Sequence, residues 1–125
     1  MQNLIIEKTT STPYINFDME KGILQIKGES YPENVVNFYS NVVDWIKEYL
    51  KIANNKIVLE FEIVYFNSST SKIFLNILEL LEKCYESGKD IIVKWICDKE
   101  NETAIECGEE FMEDLTSLPF TIEKF

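Results

Sequence analysis

The sequence contains neither histidine nor arginine, and all 12 of its basic residues are lysine. Without histidine it cannot form a Ser-His-Asp triad or a Cys-His nucleophile pair, and it offers no imidazole ligand for zinc. The glycine-rich phosphate-binding patterns G-x-x-x-x-G-K-[ST] and G-x-G-x-x-G are also absent. These absences exclude most common enzyme classes, so we predict a protein that is not an enzyme and that uses neither a cofactor nor a metal.

Carboxylates, lysine, serine, cysteine and tyrosine are the remaining side chains that could carry chemistry. A pair of carboxylates can hydrolyse a glycoside or hold Mg²⁺. With 22 acidic residues among 125, however, a pair at any given spacing is expected by chance. An enzyme that depends on acids or on Mg²⁺ remains a separate hypothesis, and it predicts carboxylates that converge in a pocket.

Positive charge is scarce, because 22 acidic residues outnumber 12 lysines and give a net charge of −10. Proteins that bind nucleic acid neutralise backbone phosphates with a basic surface, and they commonly contact guanine with a bidentate Arg or Lys. Nucleic acid is therefore a poor candidate partner. A protein that presents a basic patch fits this charge better.

Cysteine is sparse, and its spacing shows no metal or redox pattern. Cys84, Cys97 and Cys107 include no C-x-x-C pair, which predicts small buried or half-buried thiols in a reducing cytosol. Met1 to Lys8 lacks the basic flank and long apolar stretch of a secretion signal, and no window is long and apolar enough to span a bilayer. We therefore expect a cytoplasmic protein without membrane contact.

A chain of 125 residues that is 46% hydrophobic is long enough to bury a core as one domain, residues 1–125. Alternation of apolar and polar residues predicts strands with one packed and one wetter face, which favours a two-layer arrangement with helices mainly on one side. The predicted strands are Leu24 to Lys27, Ile57 to Tyr65, Ile91 to Cys97 and Phe120 to Phe125, and the segments Ile5 to Glu7 and Tyr14 to Phe17 predict one or two further strands before them.

Apolar residues at three- and four-residue spacing predict three helices. The first follows Ser30-Tyr31-Pro32-Glu33, which has the form of a capping box with proline in the first turn. The second extends from about Ser69 to Glu86, and the third lies near Asn101 to Leu115, where Gly108 weakens its middle. The predicted apolar stripe of the second helix consists of Ile73, Ile77, Leu80, Leu81 and Cys84.

A run of small polar residues, Asn67-Ser68-Ser69-Thr70-Ser71, separates the longest strand from the second helix. Helix capping explains part of it, because a single residue, Asn67 or Ser68, suffices to accept the N–H groups of the first turn. A helix start also offers free backbone N–H groups and the positive end of the helix dipole, so it can hold a phosphate on one of these hydroxyls. The residues alone leave both interpretations open, a plain cap and a phosphorylation site.

Two further segments are candidate contact surfaces. Capping accounts for Ser30, Pro32 and Glu33 within the motif Gly28 to Asn34, but it leaves Glu29, Tyr31 and Asn34 without a structural role, so these three are expected near a partner. A dense acidic stretch is expected to be the solvated face of the third helix and a secondary docking candidate. This stretch consists of Asp98, Glu100, Glu102, Glu106, Glu109, Glu110, Glu113 and Asp114.

The segment Tyr65-Phe66-Asn67-Ser68-Ser69-Thr70-Ser71-Lys72 resembles the signature of the SiaC family of bacterial regulatory phosphoproteins. Ser11-Thr12-Pro13, Gly28 to Asn34 and the strand that ends at Trp95 carry the same resemblance, which covers nearly the whole chain. SiaC proteins are similar to STAS-type anti-sigma-factor antagonists. The resemblance therefore implies an α/β, STAS-like two-layer domain with a mixed β-sheet and helices mainly on one face.

In the family this segment has the pattern Tyr, apolar residue, Asn, Thr, Ser, Ser, any residue, Lys, and the Thr after the Asn is phosphorylated. Ser68 occupies that position here, and Thr70 replaces a serine of the pattern. The resemblance thus implies reversible phosphorylation of Ser68, with Ser69 and Thr70 as back-up acceptors. The residues predicted to bind partners are Glu29, Tyr31, Asn34, Asn67, Ser69 and Lys72.

The resemblance also implies three protein partners: a GHKL-type protein kinase, a PP2C-type phosphatase and a diguanylate cyclase that the unphosphorylated form promotes. The first hypothesis is a non-enzymatic regulator that binds its effector when Ser68 is free and releases it when Ser68 is phosphorylated. The main alternative is a constitutive STAS-like binding or scaffold module whose hydroxyl run is only a cap. That alternative predicts that Ser68→Asp changes little beyond stability.

Overall fold

The computed structural model describes all of residues 1–125 and contains six strands and three helices. The strands are β1 (Leu4–Ile6), β2 (Tyr14–Asp18), β3 (Ile23–Ser30), β4 (Ile57–Phe66), β5 (Ile91–Cys97) and β6 (Phe120–Lys124). The helices are α1 (Val35–Ile52), α2 (Ser68–Glu86) and α3 (Glu102–Asp114). Each predicted element is present, and the N-terminal region forms two strands.

The six strands form one mixed sheet in the order in which they occur along the chain. The first three pair antiparallel, and β3 to β6 pair parallel, with one helix in each parallel connection. Parallel strands end at the same edge of a sheet. The β3–α1, β4–α2 and β5–α3 connections therefore lie side by side at what we call the carboxyl edge, which contains both predicted contact motifs.

The core lies between the helices and one face of the sheet. On β4, Ile57, Leu59, Phe61 and Ile63 are buried while the alternate residues are partly exposed, and β5 shows the same alternation. Right-handed crossovers between sequential parallel neighbours place every helix on the same face. The predicted two-layer arrangement with a wetter sheet face is confirmed.

Two details of the helices differ from the sequence prediction. The buried face of α2 includes Phe74 and Leu78, while the predicted stripe residues Ile73, Leu80 and Cys84 are only half-buried. Ile77 and Leu81 of the predicted stripe are buried, and its other three residues pack at the margin of the core, because several neighbouring positions of this helix are apolar. Helix α3 continues without a break through Gly108, where a Cβ atom would lie 2.5 Å from Cδ1 of Trp95.

The loop between α3 and β6 is fixed by a carboxylate of α2. One oxygen of Glu82 accepts backbone N–H groups of Thr116, Ser117 and Leu118 at 2.9–3.0 Å. These bonds lower the pKa of Glu82 below its usual value, since they favour the ionised form. The carboxylate thereby couples α2 to the last strand.

None of the three helices combines the length and the apolar character that crossing a membrane requires.

Candidate functional site

The β4–α2 turn presents two serines at the surface. Asn67 caps α2 with an extended backbone (φ −88°, ψ 175°), and its Oδ1 accepts the Thr70 amide at 3.0 Å. Ser68 and Ser69 are the first two helical residues, and both are exposed. Because first-turn amides have no intrahelical acceptor, an anion here would meet free N–H groups and the positive end of the dipole. The prediction that Asn67 or Ser68 caps this helix is confirmed, with Asn67 as the cap.

Thr70 belongs to the interior of the domain. Its side chain is fully buried, and its hydroxyl donates to the backbone oxygen of Ser30 at 3.1 Å. The amide of Asn67 donates to the same oxygen at 3.2 Å. A kinase cannot reach Thr70 in the folded domain, so its prediction as a back-up acceptor was wrong, whereas Ser68 and Ser69 keep accessible hydroxyls.

Ser30 lies at the centre of a buried hydroxyl cluster that joins three elements. Its Oγ is 3.0 Å from Oγ1 of Thr70 and 2.6 Å from the hydroxyl of Tyr39 on α1. Burial raises the pKa of Tyr39 far above its usual value, so the phenol stays protonated and available as a donor. We call Ser30, Tyr39 and Thr70 the hydroxyl cluster. It fixes the end of β3 to the starts of α1 and α2.

The sequence did not indicate the hydroxyl cluster, and it assigned Ser30 to the wrong role. Ser30 is the last residue of β3, while α1 begins at Val35 and is capped by Asn34, whose Oδ1 accepts the Asn37 amide at 3.0 Å. The predicted capping box at Ser30 to Glu33 is therefore wrong, and Asn34 has the capping role that it appeared to lack. An inward-facing polar residue at the end of an apolar strand was the one available signal.

The other predicted contact residues lie at the same carboxyl edge. Glu29 pairs with Tyr65 in the β3–β4 register and is exposed. The ring of Tyr31 packs edge-on against Tyr65 with centroids 5.8 Å apart. Lys72 is exposed on the first turn and a half of α2 and forms no ion pair. The fold thus brings both motifs to one surface.

One cleft at the carboxyl edge bears on the hypothesis of an acid-dependent enzyme. The cleft has a volume of about 450 Å³ and is lined by Glu62, Asp98 and Glu100 among others. No group of three or more His, Cys, Asp or Glu side chains is arranged to hold a metal ion. Oδ1 of Asp98 already accepts the Glu100 amide at 2.8 Å, as in an ordinary turn. Asp98 is thus engaged in a turn, and the cleft brings the carboxylates of Glu62, Asp98 and Glu100 to one surface.

The cysteines are as buried as the sequence predicted. Cys97 is buried, and Cys84 and Cys107 are half-buried, all as free thiols. Burial raises the pKa of both Cys97 and Cys107, so neither is an activated thiolate.

The one-sided α/β sheet and the exposed serines at a capped helix start define a small domain suited to regulated binding. A family model described as SiaC family regulatory phosphoprotein matches residues 6–125. The chain belongs to the SiaC family, as its sequence predicted.

Similar proteins of known structure confirm the fold. The crystal structure of apo-SiaC from Pseudomonas aeruginosa is 36% identical, with a TM-score of 0.92 over 98% of this chain and 99% of that chain. SiaC from the same organism, solved in complex with the diguanylate cyclase SiaD that it activates, is 37% identical, with a TM-score of 0.93 over 98% and 99% of the two chains. An uncharacterized protein of P. aeruginosa (strain UCBPP-PA14) is 37% identical over 123 residues, which is 98% of this chain and 97% of that protein.

Proposed function

We propose that this chain is a non-enzymatic regulatory phosphoprotein whose binding to an effector is gated by reversible phosphorylation of Ser68. The observation that carries the proposal is the exposure of Ser68 directly after the cap Asn67, on a turn held in place by the buried Thr70. Ser69 is the back-up acceptor. The family description as regulatory phosphoprotein supports the proposal.

A phosphate on Ser68 would be compatible with the folded domain. It adds about −1.5 to −2 charge at pH 7, which the positive end of the helix stabilises by roughly 0.3–1 kcal/mol. Lys72, four residues later on the same helix face, adds a nearby positive charge. Phosphorylation therefore acts on what the surface binds and leaves the domain folded.

The gate works through desolvation. When an effector covers the β4–α2 turn, a phosphate there loses its hydration, which costs several kcal/mol unless the partner supplies positive groups opposite it. A cost of about 4 kcal/mol lowers the affinity about a thousandfold. The unphosphorylated form then binds, and the phosphorylated form is released.

The proposed effector is a diguanylate cyclase, because a relative with 37% identity is the activator of such an enzyme in a solved complex. A GHKL-type kinase would add the phosphate, and a PP2C-type phosphatase would remove it, with both reactions in the cytoplasm. Neither nucleic acid nor membrane has a part in this cycle, and the chain needs no cofactor of its own. Glu29, Tyr31, Asn34, Asn67, Ser69 and Lys72 are the proposed contact residues around Ser68.

The proposal is tested by mass spectrometry of the intact protein and its peptides, isolated from its native host and treated with or without a PP2C-type phosphatase. We expect one removable phosphate on Ser68. The proposal fails if Ser68 and Ser69 carry no phosphate under several growth conditions, including those in which cyclic di-GMP levels change.

A second candidate is a constitutive binding module in which Ser68 is never phosphorylated, although the cap at Asn67 needs no serine hydroxyl and so does not explain the hydroxyl run. On this view Ser68 is an ordinary surface residue. The two candidates differ in the effect of negative charge at Ser68 on effector affinity, which should be small for a constitutive module.

A further inference from the structure

A β-bulge in β4 exposes two consecutive large side chains. Gly28 pairs with Ile63 and Glu29 pairs with Tyr65, so Val64 is an extra residue without a partner on β3. In a regular strand, one of two consecutive residues would face the core. Here Val64 is 62% exposed and Tyr65 is 51% exposed. Bulges are frequent next to functional sites, where they redirect side chains.

Two more aromatic residues, the half-buried Tyr31 and the exposed Phe125, adjoin this surface. The ring of Tyr31 contacts that of Tyr65, with centroids 5.8 Å apart. Phe125 is 63% exposed, and it lines the same cleft as Val64. We call Tyr31, Tyr65, Val64 and Phe125 the bulge strip. Exposed apolar groups that adjoin one another indicate a site of interaction.

One end of the bulge strip lies next to the acidic residues of the cleft, and the other end lies close in sequence to the proposed phosphorylation site Ser68. Beyond Val64 and Phe125 the cleft is lined by Glu62, Asp98 and Glu100. Glu62 forms an ion pair with Lys27 at 3.5 Å, while Asp98 and Glu100 form none. At the other end, Tyr65 is three residues before Ser68. The loop that carries the acids is fixed to the bulge, because Nδ2 of Asn101 donates to the Val64 oxygen at 3.0 Å.

We propose that the bulge strip is the docking surface for the effector and that it takes a segment whose apolar side chains are flanked by lysine or arginine. This inference rests on the proposed function and adds the chemistry of the partner. Positive groups on the partner meet the acids of the cleft, while its apolar side chains cover Val64, Tyr65 and Phe125.

A second copy of this chain does not suit the surface. It would bring the same acids against the cleft, and each copy has a net charge of −10. Like charges that face each other across an interface oppose association. The charge therefore favours a basic partner over a homodimer.

The test measures the affinity of the full-length chain for the diguanylate cyclases of its native host by calorimetry. Val64→Lys should weaken binding at least tenfold, and Glu100→Lys should also weaken it, while Val64→Glu should have a smaller effect than Val64→Lys. The matched control is Ile52→Lys, because Ile52 is 57% exposed at the end of α1, away from the carboxyl edge. If Val64→Lys does not fold, as judged by circular dichroism, Phe125→Lys at the chain end replaces it.

The outcomes separate this inference from the proposed function. If a cyclase binds and all of these variants bind it equally, the docking surface is wrong and the proposed function stands. If no cyclase binds, the effector assignment fails, and NMR with two model peptides, Leu/Lys and Leu/Glu, tests the surface directly. Shifts centred on the bulge strip with the Lys peptide alone support the inference. Shifts elsewhere, or a dimer by light scattering that Val64→Lys dissolves, overturn it.

Discussion

The starts of α1 and α2 use the same cap and differ in their first helical residues. Asn34 and Asn67 each accept the amide three residues later at 3.0 Å, and Asn101 does so for α3 at 3.1 Å. After the cap, α1 begins with two valines and α3 with Glu102-Thr103, whereas α2 begins with two exposed serines. Since asparagine alone caps all three helices, the serines are not needed for capping. This difference favours a chemical role for their hydroxyls.

The third helical position also differs between the two helix starts. At the third helical position α1 has the exposed Asn37, while α2 has the fully buried Thr70 with its bond to Ser30. The hydroxyl cluster therefore holds in place the turn that carries the two serines of α2. The proposed acceptor Ser68 is thus exposed on a turn of fixed conformation, which suits an enzyme that recognises the folded domain.

The largest expected effect is on effector binding, and it tests whether the start of α2 differs in function from the start of α1. Ser68→Asp should lower the affinity for the effector at least tenfold, and the phosphorylated protein should bind about a thousandfold more weakly, because a dianion is harder to desolvate. Ser40→Asp, at an exposed position of α1, is the control and should bind as the wild type does. Surface plasmon resonance with immobilised effector measures all four proteins. Equal affinities of the four proteins would contradict the phosphorylation gate and favour a constitutive binding module.

The next expected effect is on the free energy of unfolding, and it tests whether the hydroxyl cluster stabilises the start of α2. Ser30→Ala leaves the buried hydroxyl of Tyr39 without a partner, while Thr70 keeps its bond to the backbone oxygen at position 30. We therefore expect a loss of about 1–3 kcal/mol in the free energy of unfolding. Ser40→Ala removes an exposed hydroxyl and should cost less than ~0.5 kcal/mol. Urea unfolding of both variants measures the difference. Equal midpoints would mean that the hydroxyl cluster does not hold the turn.

A smaller effect tests whether the two caps are equivalent. Asn34→Ala and Asn67→Ala should each lower the free energy of unfolding by about 0.5–2 kcal/mol, since each removes an acceptor for a first-turn amide. Ser68→Ala should change stability much less, because no hydrogen bond of its side chain supports the turn. Thermal unfolding followed by circular dichroism compares the three variants. A loss for Ser68→Ala equal to that for Asn67→Ala would restore the interpretation of the serine as a cap.

The smallest expected effect is on the pH dependence of stability, and it concerns Glu82 in the C-terminal half of α2. The pKa of Glu82 is lowered in the folded state, so its contribution is fully present above the usual glutamate value of 4.5 and is lost as the pH falls through the folded pKa. Because this carboxylate is largely solvated, we expect less than ~1 kcal/mol. Glu82→Gln should reduce the loss of stability on acidification below pH 4.5, measured by urea midpoints. An unchanged pH profile would show that the loop does not depend on this charge.

The elements of this fold could be predicted from the sequence because alternation and helical periodicity are local signals. The prediction that Asn67 or Ser68 caps α2 followed from the same local logic, whereas the choice of Ser68 as acceptor came from the resemblance to the SiaC family. The hydroxyl cluster did not, since it joins Ser30 to Thr70 across 40 positions, and no periodicity reports a bond between distant residues. The bulge at Val64 was hidden for the same reason, because it depends on the register of a neighbouring strand.

The backbone carbonyl of Ser30 accepts two hydrogen bonds, and this limits how Ser68, the proposed phosphorylation site, can be presented to a kinase. That oxygen accepts from the Asn67 amide and from the Thr70 hydroxyl, so Ser68 cannot be drawn into an extended chain without breaking both bonds and the first turn of α2. An enzyme that modifies Ser68 in the native protein must recognise a tertiary epitope. A synthetic peptide with the sequence of residues 60–76 would lack that epitope, and it would be a poor substitute for the folded domain.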